Sequence, residues 1–353
     1  MQVHKNWQAT FYKNMEVTEF ISIVTTAPTA DNSQPWRFFC TGDQLNATYH
    51  SRSMSPSPFT SCSHGTIIAS GALHHTMEAV TSKSVHCRLL PLDNKNTPWS
   101  LEIPLNVISS ISHKIDFSDI TGRHTNRHRF QPIPNDLLVN LEKCSSPNAI
   151  ILRERSIIKE LSDCLRLCSE ARFNDKELHE WLFSSLRWTD QEAACGTGLD
   201  ISTLNLPPGG RSLMHFLSPW IRMRFLNRFG FYKIMATADT QLFSVAPAII
   251  AFCGKKKLSD VWDAGKQIQK TWIALNQQGI AVHPYYAITD IFTRLHQGKL
   301  TPRWEASIKK AEKKLTDLLS LRSDEQLHML LRIGMPTVTP TLSRRLPAQA
   351  FLE

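Results

Sequence analysis

Ala27-Pro28-Thr29-Ala30-Asp31-Asn32-Ser33-Gln34-Pro35-Trp36 is the stretch on which the reading of this chain turns. Pro28 and Pro35 fix φ and remove two backbone donors, which bars the run from a helix interior or a central strand. Between them Thr29, Asp31, Asn32, Ser33 and Gln34 offer short polar groups suited to a planar ligand rich in acceptors. Phe20, Ile21, Ile23 and Val24 lead in at helical spacing, and a strand-like Trp36-Arg37-Phe38-Phe39 leads out. Polar loops between a helix and a strand are where ligand-contacting groups collect. The same residues also suit an ordinary capped turn, and the loop alone leaves both readings open.

Outward from this loop, hydrophobic spacing predicts a helix over 17–26, strands over 36–40 and 44–50, and a small-residue helix over 65–80. In that helix Ile67, Ile68, Gly71, Ala72 and Met77 can face a core. A further strand is expected over 84–92. A second half begins near Asp119, with a strand over 148–153 and a helix over 156–173 carrying Ile157, Leu161, Cys164, Leu165 and Cys168 on one stripe. A short buried strand over 248–253 follows Pro247 and closes at Gly254. A long helix over 260–278 ends at Gly279, a residue suited to a C-cap. No G-x-G-x-x-G accompanies these elements, which argues against a Rossmann domain.

The 353 residues are 42% hydrophobic and 20% charged, the balance of a soluble globular protein able to bury a substantial core. No apolar run approaches the roughly 20 residues of a membrane span. The first twenty residues carry Lys5, Lys13, Glu16 and Glu19 without an apolar core, so no secretory signal is expected and a cytoplasmic location is. Eight cysteines (Cys40, Cys62, Cys87, Cys144, Cys164, Cys168, Cys195 and Cys253) are scattered without C-x-x-C or zinc spacing, and read as reduced thiols. The net charge of +9 lies largely in clusters such as Lys255-Lys256-Lys257, the usual pattern of a solvated surface. No zinc-finger or RNP-type motif joins them, so no nucleic-acid partner is expected; attraction for anionic substrates or a pyridine-nucleotide phosphate is the milder consequence.

The 27–36 run resembles the A-P-S-x-x-N-x-Q-P-W motif of the nitroreductase superfamily of FMN-dependent oxidoreductases. Gly122-Arg123-His124-Thr125-Asn126-Arg127-His128-Arg129-Phe130 resembles that family's flavin-phosphate motif. Arg332-Ile333-Gly334-Met335-Pro336, followed by Ser343-Arg344-Arg345-Leu346-Pro347, resembles its closing Gly-x-Pro and basic-x-Arg-x-Pro tail. The order is unusual, because here the Asn-x-Gln-Pro-Trp loop precedes the arginine motif. The arrangement resembles a fused-dimer subgroup that includes Acg-type proteins and ThiF-associated nitroreductase-like proteins. It implies an α+β, nitroreductase-like fold: two related halves, 1–118 and 119–353, forming a pseudo-dimer around mixed or antiparallel sheets with long central helices. The 65–80 and 260–278 helices take the two central places.

By the same resemblance, Arg123 and Arg345 bind the FMN phosphate, a role that suits the bidentate, permanently charged guanidinium. Thr125 adds a hydroxyl beside Arg123. Arg127 lies near the N1–C2 edge of the ring, Asn32 bonds the ring or ribityl chain, and Thr29, Ser33 and Gln34 are its neighbours. A backbone N–H near Tyr285 is the expected donor to flavin N5. Two departures are visible: Thr29 stands where the family has Ser, and Ser343 where it has a basic residue, which leaves Arg344 to compensate. The implied activity is NAD(P)H-driven hydride transfer through the flavin to a small nitro- or quinone-type acceptor. Cofactor chemistry of this kind needs no acid–base triad. Two alternatives stay open, a flavin-sequestering protein without turnover and a flavin-dependent dehydrogenase of a biosynthetic intermediate. The implied partner is a small molecule, with neither nucleic acid nor membrane, and the chain is a monomeric pseudo-dimer or a homodimer. The aromatic and basic segment 207–235 reads first as a peripheral packing helix, with a lid over the flavin or a membrane-surface helix as the other readings.

Overall fold

Phe20, Ile21, Ile23 and Val24 do share a buried face, on helix α1 (Val17–Val24). The helix stops before residue 26 because the Thr25 and Thr26 hydroxyls turn back onto the carbonyls of Ile21 and Ile23, and Pro28 follows. The computed structural model describes residues 15–52, 59–89, 98–138 and 148–353. The fold is α+β with antiparallel sheets.

The first sheet comprises β1 (Trp36–Thr41), β2 (Gln44–Tyr49), β3 (His86–Leu89) and β4 (Trp99–Pro104), in the order β1-β2-β4-β3 with every pair antiparallel. Alternation decides its inner face, where Trp36, Phe38, Leu45, Ala47, Trp99, Leu101 and Ile103 are buried. Strand β3 begins at His86, later than the expected start at 84, and 90–92 of that expectation lie outside the described residues. Helix α2 (His64–Thr81) connects β2 to β3; Ser63 caps it by accepting from the Thr66 N–H.

The second sheet runs β10-β11-β9-β6 and is also antiparallel: β6 (Ala149–Leu152), β9 (Ala248–Lys255), β10 (Ala281–Tyr285) and β11 (Glu325–Pro336). The two residues of β5 (Phe130–Gln131) pair with the end of β11. Strand β9 does not close at Gly254 but continues to Lys255. Gly254 is tolerated within it because a Cβ there would lie 3.0 Å from the buried His328 Nε2. Both faces of β9 are covered. Ile250 and Phe252 join the core shared with the first sheet, whereas Ile249, Ala251 and Cys253 pack under α3 (Arg155–Arg172), α9 (Ala287–His296) and α10 (Pro302–Leu318).

Counted within each sheet, both sheets have the spatial order 1-2-4-3, and both place a long helix between strands 2 and 3. In the second sheet that helix is α8 (Leu258–Gln277). Helices α2 and α8 cross at two glycines in a reciprocal contact. A Cβ on Gly71 would lie 2.1 Å from the Trp262 carbonyl oxygen, and one on Gly265 would lie 2.2 Å from that of Ile68. Each glycine thus meets the carbonyl three residues before the other.

Between β6 and β9 the chain inserts α3, α4 (Lys176–Ser185), a two-residue parallel pair β7 (Leu186–Arg187) and β8 (Leu199–Asp200), and three helices. These are α5 (Gly210–Leu217), α6 (Trp220–Asn227) and α7 (Phe231–Ser244), so the 207–235 segment holds more than a single helix. Beyond β11 the chain returns to the first sheet. There Leu352 pairs in parallel with Phe38, Phe351 is buried edge-on against Phe38, and Arg37 meets Glu353 at 2.6 Å.

Candidate functional site

The 27–36 loop adopts a short 3-10 turn at Ala30–Asn32, and three of its non-glycine residues have left-handed backbone: Asp31 (φ 47°), Asn32 (φ 56°) and Gln34 (φ 47°). Such conformations persist only where the surroundings enforce them, and they gather at ligand sites. The enforcement here comes from buried amides. Gln34 Nε2 donates to the Gly196 carbonyl (2.8 Å) and the Asn32 carbonyl (3.2 Å), while its Oε1 accepts from the Leu346 N–H. Asn32 Nδ2 donates to the carbonyls of Arg344 (2.8 Å) and Gly196 (3.2 Å). Thr29 Oγ1 accepts from the Gln34 N–H, and Thr29 and Ser33 are half-buried. Asn32 and Gln34 therefore clasp the 196 turn and the C-terminal tail to the loop, with both hydrogens of each amide engaged. Gly196 (φ 76°) is required in that clasp, since a Cβ would sit 2.3 Å from the Arg345 carbonyl oxygen.

The clasp delivers Arg345 to Arg123. Arg345 Nη2 (3.1 Å) and Arg123 Nη2 (2.9 Å) both donate to the Thr26 carbonyl, and Arg345 Nη1 also donates to Asn32 Oδ1 at 2.5 Å. Arg123 is buried and lies 4.4 Å above the Trp272 ring, and its Nε has no hydrogen-bond partner. Helix α8 fixes this segment: Trp272 Nε1 donates to the His124 carbonyl and Asn276 Oδ1 accepts from the His124 N–H. Burial and then the neighbouring Arg345 push the Arg123 guanidinium down to about 9, and burial pushes Arg345 down to about 10. Among the described residues no carboxylate offsets either charge. Thr125 lies half-buried next in the segment, and Arg344 is exposed, donating to the Asp190 carbonyl.

Four residues beyond Arg123, Arg127 enters a second polar region and donates to the Thr203 carbonyl at 3.2 Å. Burial lowers its guanidinium against the attraction of Asp31 and Asp239. Asp31 accepts from Trp181 Nε1 at 2.8 Å, and Asp239 from Ser169 Oγ (2.7 Å) and Tyr285 Oη (2.8 Å). Arg172 approaches Asp239 only to 3.8 Å. Burial lowers the Arg172 guanidinium, but Asp239 and the neighbouring acids outweigh it and raise the group, whose side chain keeps 24% of its surface accessible, as that of Asp239 keeps 23%. Burial, with Arg332 and Arg127 nearby, holds His283 well below its ordinary value, so it is neutral. Burial and Asp239 raise the Tyr285 phenol.

Among the sequence-expected residues, Arg123, Arg345, Asn32 and Gln34 come into direct contact or one residue apart, Arg127 lies in the adjoining polar region, and Arg344 is exposed. Sequence reasoning missed Arg172, Trp181 and Asp239. Asp239 alone carried a usable mark, being the first acid after Asp200. The seven cysteines among the described residues are free, Cys164 and Cys168 being buried, and Cys144 lies outside those residues. No His/Cys/Asp/Glu group among the described residues could hold a metal ion.

No family model matches the chain. It is 22% identical over 238 residues to an uncharacterised protein of Mycobacterium tuberculosis, across 65% of this chain and 33% of that protein, and so spans about a third of that relative's length. Similar solved structures include the FMN- and NADPH-dependent nitroreductase NfnB of Sphigopyxis sp. strain HMH, at 14% identity, covering 68% of this chain and 98% of that one, with a TM-score of 0.37. The FMN-dependent nitroreductase NfnB of Mycobacterium smegmatis in complex with NADPH matches at 12% identity over 62% of this chain and 86% of its own, with a TM-score of 0.33. An iodotyrosine deiodinase bound to FMN and 3-iodo-L-tyrosine matches at 13% identity over 63% and 90%, with a TM-score of 0.32.

Proposed function

We propose that the chain is an FMN-binding oxidoreductase of nitroreductase type, built as a fused pseudo-dimer with halves meeting near residues 118 and 119. One observation carries the flavin assignment. Arg123 and Arg345 are drawn onto a single carbonyl oxygen without a compensating carboxylate, and one buried donor, Arg123 Nε, is left without a partner. A phosphate monoester fits this demand, because it balances two like charges and supplies acceptors for the unused N–H groups. The pseudo-dimer reading is supported by the shared 1-2-4-3 strand order and the reciprocal glycine crossing.

When bound, FMN supplies hydride transfer at its ring N5 between NAD(P)H and a small nitro- or quinone-type acceptor. The chain's own groups hold and orient it. Arg123 and Arg345 grip the phosphate and Thr125 lends a hydroxyl. Arg127 keeps positive charge in the adjoining polar region, where it stabilises negative charge on a ring edge. Asn32 and Gln34 are positioning residues that bring the tail, and with it Arg345, into the site. The backbone near Tyr285, on edge strand β10, is the candidate donor to N5.

A second reading, flavin sequestration without turnover, has its own support. The inserted 155–244 segment reaches the site through Trp181 to Asp31 and through Thr203 to Arg127, contacts that suit a permanent cover. An absorption spectrum of the purified protein, repeated after anaerobic NADPH, tests both. A flavin spectrum that bleaches supports the oxidoreductase. One that persists supports sequestration, or a dehydrogenase of a biosynthetic intermediate if an organic substrate then bleaches it. Absence of flavin, with none taken up from added FMN, removes all three.

A further inference from the structure

Residues 201–238 carry Arg211, Arg222, Arg224, Arg228 and Lys233 and no acidic residue. On α6 and the turn after it, Ile221, Phe225 and Phe229 recur every four residues and form one stripe, 68%, 55% and 77% exposed. Met223 is the one buried residue of that helix. The stripe is continuous with α5. Arg222 donates to the Phe216 carbonyl at 2.9 Å and lies 5.0 Å over the Phe216 ring, itself 50% exposed. Helical geometry sets Arg222 on one side of the stripe and Arg224 and Arg228 on the other. On that second side Arg224, Arg228 and Arg303 line a groove of about 290 Å³ together with Asn174, Trp220 and Asn227, none of them acidic.

We propose that α5 and α6 dock the protein on an anionic bilayer surface, the Ile221–Phe225–Phe229 stripe entering the acyl boundary and the three-arginine groove taking lipid phosphates. An exposed apolar stripe flanked by arginines offers an anionic bilayer surface both an apolar contact and charge complementarity. Among the described residues no helix is long and apolar enough to cross a membrane, so the contact is peripheral. The sequence offers a membrane-surface helix over 207–235 beside a packing helix and a lid, and the expectation of no membrane partner sets it aside; the exposed stripe brings it back. A second copy of the chain is disfavoured as occupant, since it would set the same acid-free cationic face against itself. Single-stranded nucleic acid is disfavoured because Ile221 has no π face on which a base could stack. The inference does not depend on the flavin reading.

Co-sedimentation of the full chain with vesicles of phosphatidylcholine, with and without phosphatidylglycerol, tests the proposal. Binding is expected on the mixed vesicles, about tenfold or more weaker on phosphatidylcholine alone, and weakened by salt. Phe225→Ser with Phe229→Ser should abolish it; Phe229→Ser alone should reduce it with an unchanged melting curve. Arg224→Gln, Arg228→Gln and Arg303→Gln together should lower binding to the mixed vesicles by roughly a hundredfold. No co-sedimentation with mixed vesicles overturns the proposal, as does binding that the double serine variant retains. A dimer by light scattering that the double serine variant abolishes, without vesicle binding, would assign the face to self-association. Tight binding of a single-stranded oligonucleotide without vesicle binding would likewise overturn it.

Discussion

Two guanidiniums that share the Thr26 carbonyl repel each other, and burial strips the water that would screen them. With their titration pushed down only to about 9 and about 10, both remain charged at neutral pH, so the site stays primed for an anion. Arg345→Ala or Arg123→Ala should each weaken FMN binding about 10- to 100-fold, the worth of one charged hydrogen-bonding partner. Arg123→Lys should recover little, because a point charge cannot reproduce the fork and also stack on Trp272. Quenching of flavin fluorescence measures both; unchanged affinity in the alanine variants would place the phosphate elsewhere. A separate pair contributes to acid stability. His64 Nε2 meets His328 Nδ1 at 3.0 Å, and His64 Nδ1 meets Tyr286 Oη at 3.1 Å. Burial, and for His64 also its neighbour His328, pushes His64 down to about 3; burial pushes His328 down to about 4. Both are neutral in the folded protein, whereas the unfolded chain takes up their protons below about pH 6.5. Their contribution is therefore fully present above pH 6.5 and is lost as the pH falls toward 4, by up to about 1.4 kcal/mol per pH unit for each histidine. Urea midpoints measured across this range should fall less steeply in His328→Gln than in the parent.

The α2–α8 crossing joins the long helices of the two sheets, and its glycines permit a backbone approach that no Cβ allows. Gly71→Ala or Gly265→Ala would drive a methyl group against a carbonyl oxygen of the facing helix, whose own hydrogen bonds keep it from moving aside. Each should cost about 3 kcal/mol or more, above the gain an alanine normally brings to a helix. Chemical denaturation gives the number, and a stabilising effect would mean that the helices separate freely. Both helices could be read from the sequence because their periodicity is local: observed α2 and α8 differ from expectation by a residue or two at their ends. The 27–36 loop was equally readable, since its prolines exclude the regular alternatives. Strand β11 was visible only as the Arg332–Pro336 motif, because its first half is held by β9, roughly seventy residues earlier in the chain, and pairing of that kind leaves little local trace. The polar cluster around Arg127 was hidden for the same reason. Asp31, Arg172 and Asp239 are far apart in sequence, and nothing near any one of them announces the other two.

At the scale of the whole molecule, the site exists only because the chain crosses from one sheet to the other and back. Arg123 is held by α8 beside the second sheet, the Thr26 carbonyl closes α1 ahead of the first sheet, and Arg345 rides on a tail that leaves β11 to clasp β1. The tail is anchored at both ends of its last stretch: by Asn32 and Gln34 near Arg345, and by Phe351 against Phe38 beyond it. Anchoring and anion binding must then be linked, because a ligand that grips Arg345 binds only chains whose tail is docked. Phe351→Ala tests this at a distance. Its side chain lies in the core shared by the two sheets, so the variant should lose roughly 3 kcal/mol or more of stability. It should also bind FMN several-fold more weakly, because part of the population has its tail undocked and the apparent affinity falls with the docked fraction. Saturating FMN should in turn slow amide exchange across residues 343–353 in the parent and less so in Phe351→Ala, both read by hydrogen–deuterium exchange. If FMN leaves that exchange unchanged in the parent, tail and anion site are independent, and Arg345 does not hold the phosphate.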